Sequence, residues 1–358
     1  MNIRSMLWPL QIVTNLFPRN GGVNIKLVTG IVFFSICQLI ALVVATHHEG
    51  TFSLPGVGKG LMEHEGVWAI VITDPLLLIS TGYAYALFRK CMRTLPIKNP
   101  GSKGTIKKTL FQSKLSHLLM KEAGGQLIYA LLVVVGLFAF ANNIVQTCNP
   151  AIYYGNDVFD SSKYVYGFIT NKFNLFVSWT IVYPIVAYFC LTMSASIYLI
   201  LKKLRDSGQL VAEMHHPDKC FGYSQIGTLN LVLMLPFFLT YNVMFFLADT
   251  HESAYLSLLI PLVGMTAVFI GISYMTLYPL AAFIREECAK QAGVVQGHLR
   301  NAMEKGTKPR IRVVLDSMYL SMMHGTPYTK NARSLITALR IATLTMTAYR
   351  TFIIQAQT

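Results

Sequence analysis

The chain has 358 residues, of which 53% are hydrophobic and only 13% are charged, and its formal net charge is +14. Soluble globular domains carry about a quarter charged residues, so this composition excludes an ordinary soluble domain. It is typical of a chain that folds largely inside a lipid bilayer.

Six long apolar segments follow one another along the sequence. A bilayer-spanning helix needs roughly 20 mostly apolar residues, and each segment meets this length. None shows the strict alternation of a membrane β-strand. Because backbone groups in lipid must be hydrogen-bonded internally, we expect helices. The sequence therefore predicts an all-α, polytopic membrane protein with six transmembrane helices, at residues 27–45, 67–88, 127–145, 173–201, 229–248 and 255–283.

The basic residues fall almost entirely in every second loop. If the six segments cross the bilayer in alternating directions, all but three of the 30 lysines and arginines lie on one side of the membrane. The exceptions are Lys59, Lys163 and Lys172. Basic loops face the cytoplasm, so both termini are expected there, in an inner or plasma membrane. We expect the basic loops to be attracted to anionic headgroups. No nucleic-acid recognition motif is present, and nucleic acid is not an expected partner.

The charge and apolar patterns divide the chain into four parts. Residues 1–24 are predicted to form a cytoplasmic interfacial segment with Trp8 at headgroup level. Residues 25–284 form the transmembrane bundle. Residues 285–332 form a cytoplasmic helical tail, in which 286–305 continue the sixth helix and 311–323 form an apolar patch suited to neighbouring subunits. We therefore expect a homo-oligomer.

The last part, residues 333–358, is predicted to be an amphipathic helix. Polar residues, including Arg340, recur every three or four positions between 333 and 354 and form one stripe. An arginine at the centre of a lipid-facing helix costs about 2.5–3.5 kcal/mol. Three arrangements remain open: a helix in the interface, a seventh span whose stripe faces water, or a cytoplasmic oligomerisation helix.

Asp74 lies inside the second apolar segment, in Ile-Thr-Asp-Pro. An acid within the membrane is by default a candidate for contact with an ion or proton. The alternative is that Pro75 breaks the helix and Asp74 caps the segment that follows. On the first interpretation we expect Asp74 to line a pathway together with Asn142, Asn143 and Arg340.

A second set of polar residues gathers at the predicted outer ends of the spans. Three separate span ends supply imidazoles and carboxylates, which could converge to bind a divalent cation or respond to pH near 6. The alternative is ordinary interfacial polarity. The candidates for this outer metal or pH site are His47, His48, Glu49, His64, His251 and Glu252.

The densest group of reactive side chains is predicted to be cytoplasmic, in the sequence His-His-Pro-Asp-Lys-Cys-Phe-Gly-Tyr at 215–223. His215, His216 and Asp218 are possible metal ligands, but they are spaced too closely to converge without a specific turn. The other interpretation is a rigid turn, in which Asp218 binds nearby amides and Gly222 allows positive φ. The loop resembles one in bacterial multi-spanning membrane proteins of uncharacterised function, where glycines follow a His-Pro-Asp turn. This resemblance implies a similar loop.

The sequence favours movement of an ion or small solute through an oligomeric channel or transporter. The alternative is a membrane receptor or scaffold that recruits partners through residues 89–123 and the tail. An enzyme is less favoured, because the serines within the spans form no nucleophile motif, and there is neither a phosphate-binding glycine loop nor a zinc-protease motif. The sequence leaves any cofactor unidentified.

Overall fold

A computed structural model describes residues 8–18, 22–53, 61–62, 65–98, 124–148, 168–248 and 255–322, and the single positions 327, 337, 341 and 345. Within these ranges every regular element is helical, which confirms the all-α fold. Ile97 and Leu210 form only an isolated antiparallel bridge. The helices are α1 (Trp8–Leu16), α2 (Ile25–His48), α3 (Glu65–Thr94), α4 (Gly124–Cys148), α5 (Phe168–Val177), α6 (Tyr183–Asp206), α7 (Ser224–Ala248), α8 (Tyr255–Glu304) and α9 (Ile311–Met322), with a π-helical turn, Ser178–Val182, joining α5 to α6.

Three helical stretches in the described ranges are long and apolar enough to cross a bilayer: Ile25–His48, Val71–Thr94 and Lys172–Asp206. Two shorter apolar stretches are Leu127–Asn142 and Ser224–Thr240. These stretches fall on five of the six predicted segments and support a membrane protein. The number of spans beyond three stays a prediction.

The chain divides into two compact units. The first contains Met1–Leu87, Lys114–Met193 and Val232–Gly271. In this unit α1 is packed on other helices, because the side chains of Val13 and Leu16 are fully buried. A Cβ added to Gly82 of α3 would lie 2.9 Å from the Leu16 side chain. The small residue at position 82 thus lets α1 pack directly on α3.

The junction between α5 and α6 is irregular, and Pro184 explains the irregularity. A proline has no N–H and cannot bond the preceding turn of a helix. The chain widens before it, and the Tyr183 amide donates to the carbonyl of Ser178, five residues earlier. Helix α4 approaches this turn so closely that a Cβ on Gly136 would lie 2.0 Å from the carbonyl oxygen of Trp179.

The second unit contains Phe88–Ser113, Ser194–Leu231 and Ile272–Thr358. Here the end of α3 is tied to the loop after α6, since the Lys98 amide donates to the Gln209 carbonyl at 2.9 Å. Arg205, near the end of α6, pairs with Glu286 of α8.

Helix α8 continues without interruption through the predicted end of the sixth span. It has 50 residues, which corresponds to about 75 Å at 1.5 Å per residue, more than twice the hydrocarbon thickness of a bilayer. Gly306, with φ of +59°, ends it, as a glycine in the left-handed region commonly does. The predicted helical continuation over 286–305 is therefore confirmed to within a residue. Arg340 and most of the amphipathic segment 333–358 lie outside the described residues.

Candidate functional site

Asp74 lies in the interior of a helix, and the prediction that it caps one is wrong. Helix α3 runs from Glu65 to Thr94 and includes Pro75. A proline within a helix removes one hydrogen bond, but neighbouring helices can compensate for this loss in a membrane protein. The Asp74 side chain is held inside the first unit, with the residue only 8% exposed.

The contact that holds Asp74 comes from the π-helical turn. The Oδ2 atom of Asp74 lies 2.5 Å from the Ser178 hydroxyl. That hydroxyl also lies 3.0 Å from the backbone carbonyl of Asn174. A serine hydroxyl has one proton to donate and two lone pairs that accept. It can therefore donate to an ionised Asp74, or accept from a protonated Asp74 while donating to Asn174.

The Asp74 carboxyl group has no positively charged partner among the described side chains. None of the ion pairs in the described ranges includes it. Its second oxygen, Oδ1, is buried without a hydrogen-bond partner there, and so is the Nδ2 atom of Asn174. Burying an unpaired charge is very costly. Within the described residues, therefore, only a proton or a bound cation would neutralise the charge of Asp74.

The other predicted pathway residues are not joined to Asp74 by a described contact. Asn142 is half-buried on α4 and has an interaction of its own. The Asn143 side chain and Arg340 lie outside the described residues. Their place in a pathway stays a prediction.

The predicted outer cluster is described only at the end of α2. His47, His48 and Glu49 are exposed there, and the His47 ring packs edge-on against Phe52 with centroids 6.2 Å apart. In the parts of the chain that the structure describes, no three His, Cys, Asp or Glu side chains are placed to hold a metal ion. The structure does not describe His64, His251 and Glu252, so the outer site stays a prediction.

The loop at 215–223, predicted to be cytoplasmic, is organised around one carboxylate. Asp218 accepts hydrogen bonds from the amides of Cys220 at 2.8 Å, Gly222 at 3.1 Å and Ser224 at 3.1 Å. Lys219 and Phe221 hold φ of +56° and Gly222 holds +89°. The prediction of a rigid turn, with Asp218 on nearby amides and Gly222 at positive φ, is confirmed.

The hydrogen bonds determine the electrostatics of Asp218. Burial raises its pKa, but the amide donors outweigh that effect and hold the pKa below its usual value. The Nδ1 atom of His216 lies 2.8 Å from the Asp218 carboxylate and 3.3 Å from the Asp218 amide. These two contacts require opposite tautomers, and we assign the proton to Nδ1 because the carboxylate contact is shorter and charge-assisted.

Helix α9 packs against this loop. The Tyr319 hydroxyl donates to the backbone carbonyl of His216. The Nε2 atom of His215 lies 3.4 Å from the Asp316 carboxylate, and the His215 ring lies 5.2 Å from the ring of Tyr319. The two histidines of the loop thus join it to the helical tail.

On its other side the loop is fixed to the ends of α3 and α6. Tyr223 is fully buried, and its hydroxyl lies 2.9 Å from the carbonyl of Val211 and 3.3 Å from that of Pro96. Burial raises the pKa of this phenol, so it stays protonated and able to donate. His215, His216 and Asp218 therefore belong to a rigid turn that contacts α9, the segment after α3 and the segment after α6.

Sequence reasoning missed the partners of both sites. Ser178 and Asn174 complete the Asp74 site, and Asp316 and Tyr319 complete the loop. The available signal was Pro184, whose position predicts a local irregularity in a long helix.

No protein-family model, curated protein or solved structure matches the chain.

Proposed function

We propose that the chain is a six-span integral membrane protein with both termini in the cytoplasm, and that it moves protons or small monovalent cations. Asp74 is the group that binds the moving ion. The observation that carries this proposal is a carboxyl group, buried within an apolar helix, with one oxygen on Ser178 and, among the described side chains, no cationic partner. The alternation of basic loops supports the six spans and their orientation.

The chemistry of the site favours a proton or a monovalent cation over other solutes. One carboxylate neutralises one unit of positive charge. Ser178 and Asn174 add hydroxyl and carbonyl oxygens, which are ligands for hard cations or relay atoms for protons. In the described part of the chain, no second acid is placed to balance a divalent ion at this site.

The local helix irregularity supports a functional role for the same position. π-Helical turns are rare and occur frequently at functional sites. Here the turn Ser178–Val182 carries the serine that contacts Asp74. Interrupted helices line the pathways of many transport proteins, and this turn lies in the helix that contacts Asp74.

Flux through reconstituted vesicles tests this function. The full chain is placed in vesicles, a voltage is set with potassium and valinomycin, and proton uptake and sodium uptake are followed separately. We expect uptake by the wild-type protein and at least a roughly tenfold loss in Asp74→Asn, because an amide carries neither the charge nor the proton.

The matched control is Thr81→Val on the same helix. Thr81 is fully buried, and its described hydrogen bond is to the Leu77 carbonyl within α3. This variant should therefore retain flux. Absence of voltage-driven or pH-driven uptake by the well-folded wild-type protein would show that the proposal is wrong.

The second candidate is a scaffold that recruits partners in the cytoplasm. The length of α8 and the packing of α9 on the loop favour a scaffold. Together they form an ordered helical structure on the proposed cytoplasmic side, which transport does not require. A scaffold shows no flux, and Asp74→Asn then alters only assembly. Formation of a homo-oligomer stays a prediction under both functions.

A further inference from the structure

Helix α9 has an apolar face that no described residue covers. Its exposed side chains are Ile311 at 79%, Val314 at 38%, Leu315 at 57% and Met318 at 59%. Positions spaced by three, four and seven residues share one side of a helix. These four residues, here called the α9 stripe, form a continuous strip over two turns.

Basic residues border the α9 stripe. Arg310 is the residue before α9 and Arg312 is its second residue, so both lie at the end of the helix where Ile311 begins the stripe. Both are exposed, as are Lys308 and Lys305 in the turn before the helix. An apolar strip with arginine and lysine on its borders is typical of helices that lie in a membrane interface.

The opposite face of α9 is already occupied by the cytoplasmic loop. Tyr319 donates to His216, and Asp316, the one acid in α9, pairs with His215. This packing directs the acid away from the stripe. The free side of α9 therefore presents apolar and positive groups together.

We propose that α9 rests on the cytoplasmic leaflet, with the α9 stripe at the level of the acyl chains and the flanking basic residues on anionic phospholipid headgroups. The proposal rests on the membrane orientation proposed above and does not depend on transport through Asp74. It assigns the helix a partner class, an anionic lipid surface.

Charge favours lipid over a second copy of the chain as the occupant. In a two-fold contact the same patch lies on both partners, which would bring Arg310 and Arg312 close to their own counterparts. Like charges at such distances repel. The cytoplasmic leaflet carries the opposite charge and attracts each nearby basic residue.

Amide hydrogen exchange in nanodiscs tests the lipid contact on the full chain. Discs contain phosphatidylcholine alone or phosphatidylcholine with phosphatidylserine, and each holds one copy. We expect exchange over residues 311–322 to slow in the anionic discs and to rise again with added salt, which screens headgroup attraction. Exchange over 215–223 should be equal in both discs, which shows that α9 stays packed on the loop.

Two double variants separate charge from burial. Arg310→Gln with Arg312→Gln should weaken the anionic protection by about fivefold for each charge removed. Leu315→Ser with Met318→Ser should abolish the protection of residues 311–322 in the anionic discs, because it removes the apolar contact with the acyl chains. The matched control is Met303→Ser on α8, which alters a side chain that is 78% exposed but lies outside the stripe, and it should leave exchange unchanged.

Two results would overturn the proposal. Equal exchange of 311–322 in neutral and anionic discs would show that headgroup charge does not contribute to binding of α9 to the membrane. Protection that appears only in discs holding two copies, whatever the lipid, would assign the stripe to an interface between subunits. Loss of flux in an Asp74 variant leaves this result unaffected, so the two proposals fail separately.

Discussion

Asp218 accepts three backbone hydrogen bonds while two residues adjacent to the donors, Lys219 and Phe221, hold positive φ. A non-glycine residue in the left-handed region is uncommon and is retained only where its surroundings compensate. Here the carboxylate supplies that compensation, since it draws the amides of Cys220, Gly222 and Ser224 toward one point. The shape of the loop therefore depends on one short side chain.

Replacing Asp218 tests this dependence. We expect Asp218→Ala to lower the free energy of opening the loop by about 1–2 kcal/mol, because buried amides lose charge-assisted acceptors. The amide protection factors over 215–224, measured by hydrogen exchange, should then fall by about 5- to 30-fold. Asp206→Ala alters an exposed aspartate at the end of α6 and serves as the control, with unchanged protection.

The same carboxylate makes the loop sensitive to acid in a defined direction. The pKa of Asp218 is held below its usual value of 3.8, so the folded loop favours the ionised form. This contribution is complete above the usual value and is lost as pH falls through the lower, folded-state pKa. Protection corrected for intrinsic exchange should decline over that range, and Asp218→Asn should remove the decline. A wild-type loop equally protected throughout would contradict the assignment.

How far the sequence could predict each site depends on the distance between the contacts. The Asp218 turn is local, because an aspartate, a glycine and the amides within six residues form it, and turn chemistry predicts it directly. Ser178 is 104 residues from Asp74, and Tyr319 is 103 residues from His216. Helix packing determines those distant contacts, and neither periodicity nor composition specifies which packed faces meet.

Among the helices, the contact of α4 with the π-helical turn depends on the absence of a side chain. Pro184 removes a donor from the turn before it, and the Trp179 carbonyl is then approached by the backbone of α4 at Gly136. Small residues at membrane helix contacts allow such close approach. Pro184 thus widens one helix, and Gly136 leaves room for the widened turn to approach α4.

Gly136→Ala tests this contact. A Cβ at 2.0 Å from a backbone oxygen cannot be accommodated unless the helices separate, and overpacking of this kind costs about 1–3 kcal/mol. We expect a lower Tm, measured as the temperature at which buried thiols become reactive to a dye. The matched control is Gly30→Ala in α2, where nothing lies within 4 Å of the added Cβ. It should leave Tm unchanged or raise it. Equal effects of the two substitutions would contradict the close approach.

Element type was predictable, and element contacts were not. Apolar length alone predicts α2, α3 and the α5–α6 helix, because lipid leaves the backbone few alternatives. The sequence predicts that residues 1–24 form an interfacial segment, but it does not predict that Leu16 is buried against Gly82. A lone glycine within an apolar segment does not reveal which side chain fills the space above it.

For the whole molecule, the number of spans determines on which side each loop lies. If only the three stretches Ile25–His48, Val71–Thr94 and Lys172–Asp206 crossed the bilayer, a cytoplasmic N-terminus would place the end of α6 outside. If α4 also crosses, the end of α6 returns to the cytoplasm. Basic residues Lys202, Lys203 and Arg205 near that end favour the cytoplasmic position.

Labelling of single introduced cysteines with a membrane-impermeant thiol reagent decides between these arrangements. Ser207→Cys, at an exposed position just after α6, should be protected in intact cells and labelled after the membrane is permeabilised. Glu49→Cys, exposed at the end of α2, should be labelled in intact cells and is the control for reagent access. The unaltered chain gives the background from its native cysteines. Labelling of position 207 from outside would leave α4 out of the membrane, place the 215–223 loop and α9 outside, and remove the cytoplasmic leaflet as the partner of the α9 stripe.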